Sequence, residues 1–123
     1  MLYKKKHDKV PYRSYNDLKR LVLYALMKLV KKAKGSCVTF TSKKIAITAG
    51  LPVQPILLTV IRDILDGLCD NKLILRYSKS SHGIKYMIVS TSPLWKYLKS
   101  LSDFQEVEVY KIEKIGEVAI STK

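Results

Sequence analysis

Apolar residues recur along this chain with two periods, and the switches between them mark out the elements. Leu18, Leu21, Val22, Ala25, Leu26, Leu29, Val30 and Ala33 fall at three- and four-residue intervals, which makes one wide stripe on a helix. Ser14 or Asn16 stands where a cap belongs, and Gly35 where a helix stops. Lys31, Lys32 and Lys34 close it, where cations oppose the negative end of the dipole. Leu23, Tyr24 and Met27 lie outside the stripe, so they are expected to meet the C-terminal segment or a second copy of the chain. "SCVTFT" (36–41) is short and rich in β-branched residues and reads as a strand. "TSKKIAITAG" (41–50) reads as a short helix, with Thr41 or Ser42 as cap, Ile45, Ala46 and Ala49 inward, and Gly50 as stop. After the turn "LPV", "QPILLTVIRDILDGLCDN" (54–71) is a second long helix, with Pro55 in its first turn. Its inner stripe is Leu57, Val60, Ile61, Ile64, Leu65 and Leu68.

The pattern then turns β-like. "KLILRYSK" (72–79) is a strand, "SSHG" (80–83) a turn and "IKYMIVS" (84–90) the return strand. Gly83 supplies the backbone freedom that such a turn needs. "SPLWKYLKSL" (92–101) is a helix capped by Ser92, with Pro93 at its first position and Leu94, Trp95, Leu98 and Leu101 facing the body. Residues 102–123 alternate through Glu106, Val107, Glu108 and Val109, slip phase at Tyr110, and read as an extended segment. Residues 1–13 are polar, basic and interrupted by Pro11, so a flexible arm is expected.

A length of 123 residues, 47% of them hydrophobic, fits one domain with a modest core. Charge changes the picture more. There are 23 Lys and Arg against 10 Asp and Glu, a formal +13, and a polyanion would relieve the self-repulsion. Residues 1–101 hold 20 of the cations and 5 of the acids, while 102–123 are weakly acidic. Nucleic acid is the first candidate partner. An anionic membrane surface is the second and weaker one, because no helix pairs a bulky aromatic face with a purely basic one. No apolar run approaches the ~20 residues of a membrane span, and no signal peptide is visible, so a cytoplasmic protein is expected. Asn and Gln number two each, which leans towards a thermophilic source.

Little in the chain points to chemistry. Cys37 and Cys69 are 32 positions apart with no His beside them, which is no metal spacing; two buried thiols in a reducing compartment are expected. There is no nucleophile elbow and no phosphate-cradling glycine loop, so neither enzymatic activity nor a cofactor or metal is expected. Asp63 and Asp66, three apart on one helix face, read as a solvated surface rather than a Mg²⁺ pair.

The order is helix, short strand, helix, turn, helix, strand, turn, strand, helix. The second and third helices are joined by the tight turn "AGLPVQP" (49–55), and a hairpin follows at once. Over residues 14–101 this resembles a winged helix-turn-helix domain, similar to small regulators and chromatin-associated proteins of archaea and their viruses. The resemblance implies an α+β fold: a three-helix body with a β-hairpin wing, then a C-terminal helix and an extended tail, 102–123. It implies that helix 54–70 enters a DNA major groove, that Ser42, Lys43 and Lys44 abut phosphates, and that the hairpin touches backbone or minor groove.

The residues partly agree. The outward face of helix 54–71 holds Pro55, Thr59, Arg62, Asp63 and Asp66, one cation against two acids. Carboxylates are repelled by phosphate and rewarded only by a cytosine amino group. Gln54 and Thr59 could read bases and Arg62 a guanine or a phosphate; a solvated or protein-facing surface is the competing reading. In the hairpin, Arg76, Lys79 and Lys85 flank Ser80, Ser81 and His82, and hydroxyls, turn backbone and cations are what phosphate oxygens take. Tyr77 and Tyr86 add planar surface there. A solvated tip is the plainer alternative, and His82 lacks the partner that catalysis or metal binding would need. Lys4, Lys5, Lys6, Lys9 and Arg13 form a basic arm of the kind that orders on nucleic acid, or merely aids solubility. The expected partner is double-stranded DNA, bound by a transcriptional regulator or chromatin component that is a homodimer on two-fold sites and nucleoid-associated if archaeal. The alternative is an adaptor that binds proteins or structured, ribosome-associated RNA.

Overall fold

A computed structural model describes residues 15–81 and 83–101. Helix α1 (Tyr15–Lys32) lies at its centre and touches every other helix and the first strand. Its buried arc is broader than the expected stripe. Leu18, Val22, Ala25, Leu26 and Val30 are buried as expected, but so are Leu23 and Met27, each 3% exposed. The extra flank is closed by the last helix, where Lys31 Nζ donates to the Lys99 carbonyl at 3.1 Å. Leu23 and Met27 are therefore core residues and are not available to a second copy of the chain. Asn16 lies inside the helix rather than capping it, Ser14 lies outside the described residues, and the helix ends three residues before Gly35.

Helices α2 (Ser42–Ala49) and α3 (Pro55–Asp70) are joined by a turn whose geometry the sequence dictates. The Thr41 hydroxyl accepts from the Lys44 amide at 3.1 Å and satisfies one free donor of the first turn. Gly50 sits at φ 78°, left-handed backbone that disfavours a side chain. There the Gly50 amide donates to Ile47 O and the Leu51 amide to Ala46 O, which closes α2 and redirects the chain. Pro55 then opens α3, where its missing N–H costs nothing. The inner face of α3 is Leu57, Ile61, Ile64, Leu65 and Leu68, with Val60 half-buried at its edge.

Three antiparallel strands, β1 (Cys37–Phe40), β2 (Leu75–Ser80) and β3 (Gly83–Val89), form a sheet in the order β1-β3-β2. The expected strand from Lys72 begins only at Leu75, because Lys72 and Leu73 still close α3: Lys72 takes φ 63°, and the Leu73 amide donates to Leu68 O at 2.9 Å. Ser80 pairs with Gly83, so the hairpin loop shrinks to two residues, and Gly83 takes φ 118°. Helix α4 (Pro93–Ser100) follows. Its cap, Ser92, is buried, and its hydroxyl accepts from the Leu94 amide at 3.1 Å and donates to the Leu73 carbonyl at 2.8 Å. The chain is thus α+β, with four helices and one three-stranded antiparallel sheet among the described residues.

The thiols depart from expectation. Strand alternation turns Val38 and Phe40 inward and leaves Cys37 exposed; Cys69 is half-buried. Burial above all, with Asp66 and Asp70 adding to it and Arg76 opposing, pushes the Cys69 thiol up to about 11. The thiolate is the reactive form. A disulfide reagent at pH 8 is therefore expected to label Cys37 in the native protein at least about tenfold faster than Cys69, with both labelled after unfolding. Equal native rates, read by peptide mass, would contradict this placement.

Candidate functional site

Three elements converge on an open groove of about 550 Å³. Thr41, Ser42 and Lys43 reach it from the start of α2, Pro55, Leu58, Thr59 and Arg62 from α3, and Gly83 and Ile84 from the start of β3. Leu58, Ile84 and Pro55 make an apolar floor. Lys43, Thr59 and Arg62 are exposed at its rim. The Thr59 hydroxyl donates to the Pro55 carbonyl at 3.0 Å, so what it offers the groove is acceptor capacity. Lys43 and Arg62 supply the positive charge.

The hairpin leans on α3 through one carboxylate. Tyr86 lies on the central strand, fully buried, with its ring stacked on Phe40 at 6.1 Å between centroids. Its hydroxyl donates to Asp66 Oδ1 at 2.8 Å, and Arg76 Nη2 reaches the same oxygen at 3.1 Å. Burial first, then the hydrogen bond to Asp66, pushes the Tyr86 phenol well above its ordinary range, so it is a permanent donor. This corrects two expectations. Asp66 is not a loose acid on the outer face of α3, since its charge is matched by Arg76. Arg76 in turn is not a free cation of the hairpin: an acid of the chain's own holds it, although its side chain is 49% exposed.

A bulge decides which hairpin cations lie on the sheet face turned to α3. Arg76 pairs with Tyr86 and Ser78 with Lys85, so Tyr77 is an extra residue in β2. In a regular strand, positions 76 and 79 would point to opposite faces. The bulge puts Lys79, paired with Ile84, on the same face as Arg76 and Tyr86, towards α3. Lys85 falls on the other face with Ser78 and is separated from the groove. Every residue of β2 is exposed, so the outer strand of the hairpin stands clear of the core, while β3 packs Tyr86 and Ile88 into it.

The other expected positions divide as follows. Ser42 lines the groove, half-buried. Lys44 is exposed further round α2. Gln54 is exposed at the cap of α3 and makes no capping bond, which leaves its amide available. Ser80 and Ser81 are exposed at the hairpin tip. Lys4, Lys5, Lys6, Lys9, Arg13 and His82 lie outside the described residues, as does the segment 102–123. Sequence reasoning missed the floor, Leu58 and Ile84, because their meeting depends on how the hairpin packs. It also missed Ile56, which is 81% exposed in the first turn of α3.

Among the described residues no cluster of three or more His, Cys, Asp or Glu could hold a metal ion, and no helix is long and apolar enough to cross a membrane. No protein-family model, curated protein or solved structure matches the chain.

Proposed function

We propose that the chain is a winged helix-turn-helix protein that binds double-stranded DNA, as a transcriptional regulator or chromatin component. The observation that carries this reading is the groove itself. It joins the start of α2, the outer stripe of α3 and the root of the hairpin, with Lys43 and Arg62 at its rim. An open, cation-rimmed channel built by two helices and a hairpin fits a strand of phosphates better than an enclosed small molecule, which would need burial over most of its surface. Lys43 and Lys79 hold phosphate in this reading. Gln54 and Thr59 present amide and hydroxyl to base edges, and Arg62 contacts guanine or phosphate. The pairing of Asp66 with Arg76 is neutral for it, since it matches one of the two acids next to α3 and one cation of the hairpin.

One observation favours the adaptor reading. Ile47, Val53 and Ile56 are 56%, 44% and 81% exposed around the α2–α3 turn, and exposed apolar residues near a helix start suit a protein partner. Binding of wild type to a duplex DNA and to an RNA hairpin of matched charge, measured by fluorescence anisotropy at one salt concentration, separates the readings. The DNA reading expects the duplex to be bound at least about tenfold tighter. Preference for the hairpin, or binding to neither, overturns it.

A further inference from the structure

A second cationic surface lies away from the groove, at the other end of β1. The open face of α1 carries Lys28, Lys31 and Lys32, and Lys34 follows just past its end. The hydrogen bond from Lys31 Nζ to the Lys99 carbonyl brings the end of α4 alongside, with Lys99 exposed. Lys28 stands over the ring of Tyr24, its Nζ 5.4 Å from the centroid, so its charge is held at the surface rather than folded away.

The ordinary explanation for lysines here is compensation of helix dipoles. The magnitudes rule it out as sufficient. Two helix C-termini supply about half a negative charge each, against the five lysines 28, 31, 32, 34 and 99. Nor does a described acid pair with them: the ion pair on α3 joins Asp66 to Arg76. Asp17 is at the far end of α1, on the order of 20 Å from Lys31 along the axis. Asp63, Asp66 and Asp70 are on α3.

Strand β1 separates this surface from the groove. Its first residue, Cys37, follows the lysine-bearing end of α1, and its last, Phe40, precedes the groove residue Thr41. The strand alone spans about 13 Å. The two cationic regions therefore sit at opposite ends of the sheet.

We propose that the α1–α4 face binds the sugar-phosphate chain of a second duplex, so that one molecule holds two DNA segments together. The proposal rests on the DNA reading of the groove. Two features favour a phosphate chain over an acidic protein. The cluster is made of lysines, compact point charges with no fixed fork, which suit phosphates in any sequence. Among the described residues it also has no apolar anchor: the large exposed hydrophobics there are Tyr15 at the opposite end of α1, the residues around the α2–α3 turn, and Leu75 and Tyr77 on β2. A stable protein interface needs such an anchor at its centre.

The test uses the full chain, a biotinylated duplex on beads and a labelled free duplex. Wild type is expected to retain the labelled duplex on the beads. The fourfold variant Lys28→Gln, Lys32→Gln, Lys34→Gln, Lys99→Gln should keep the salt slope of single-duplex binding and lose at least tenfold in capture of the second. The matching Lys→Arg variant should restore capture, and equal melting temperatures show that the fold is intact. Unchanged capture in the glutamine variant overturns the proposal, whether a two-fold dimer uses two grooves or the chain's own acids cover the lysines. A reduced single-duplex slope also overturns it, since both regions would then touch one duplex. If wild type binds one duplex but captures no second, this inference alone fails. If it binds no duplex, the DNA reading fails as well.

Discussion

Asp66→Ala is expected to lower the unfolding free energy by about 2 kcal/mol, a large loss for a residue on the outer side of a helix. The cost comes from what is left behind. Tyr86 is fully buried, and its hydroxyl has its bond to Asp66 Oδ1 at 2.8 Å. A hydrogen bond to a charged acceptor contributes about 1.5–3 kcal/mol, and a stranded donor keeps its desolvation cost. The ion pair with Arg76 adds little, because both side chains are partly exposed and solvent screens the pair. The variants should therefore rank in order. Asp66→Asn retains an acceptor for Tyr86 and should lose about 1 kcal/mol or less, and Arg76→Ala should cost clearly less than Asp66→Ala. Urea unfolding of the three measures this. Equal effects for Asp66→Ala and Arg76→Ala would mean that the hydroxyl bond contributes nothing and that the hairpin is held by packing alone. Asp66 thus ties the hairpin to α3 one turn beyond Arg62, which lines the groove.

Much of the fold was legible because it is local. Helical periodicity and caps placed α2 between Thr41 and Gly50 and α3 from Pro55, and the dipeptides Ser92-Pro93 and Asp70-Asn71 marked ends that the structure keeps. What failed was non-local. Leu23 and Met27 fell outside the single stripe, which assumes one packing partner, whereas α1 is covered on two sides and their contact with a second copy is ruled out. Cys37 read as buried from its residue type, and the alternation of a four-residue strand turned it out. The site was legible in part for the same reason. Thr59 and Arg62 could be proposed from their position on the outer face of their helix, while Ser42 and Lys43 came only with the resemblance to a winged helix-turn-helix domain. That Arg76 is tied to Asp66, and that Lys79 rather than Lys85 faces α3, depends on one bulge at Tyr77 that no local rule in the sequence announces.

The groove makes the second large prediction. Lys43 and Arg62 are its rim cations, and each phosphate neutralised on a duplex contributes about 0.9 to the slope of log affinity against log salt. Lys43→Ala should weaken binding to all duplexes alike and lower the slope by about 0.9. Arg62→Ala should do the same if Arg62 meets phosphate. If it meets a guanine edge, it should cost about 1–3 kcal/mol on the preferred sequence and level the differences among sequences. Either outcome weakens binding, and the two are told apart by the slope. Arg76→Ala, its charge already matched by Asp66, should change the slope little.

The most direct measurement is the salt dependence of duplex DNA binding for wild type, for Lys43→Ala with Arg62→Ala, and for Lys85→Ala on the far face of the hairpin. The account predicts a steep wild-type slope, a slope shallower by roughly 1–2 in the double variant, and little change in Lys85→Ala. A double variant that binds as tightly and as steeply as wild type would contradict it.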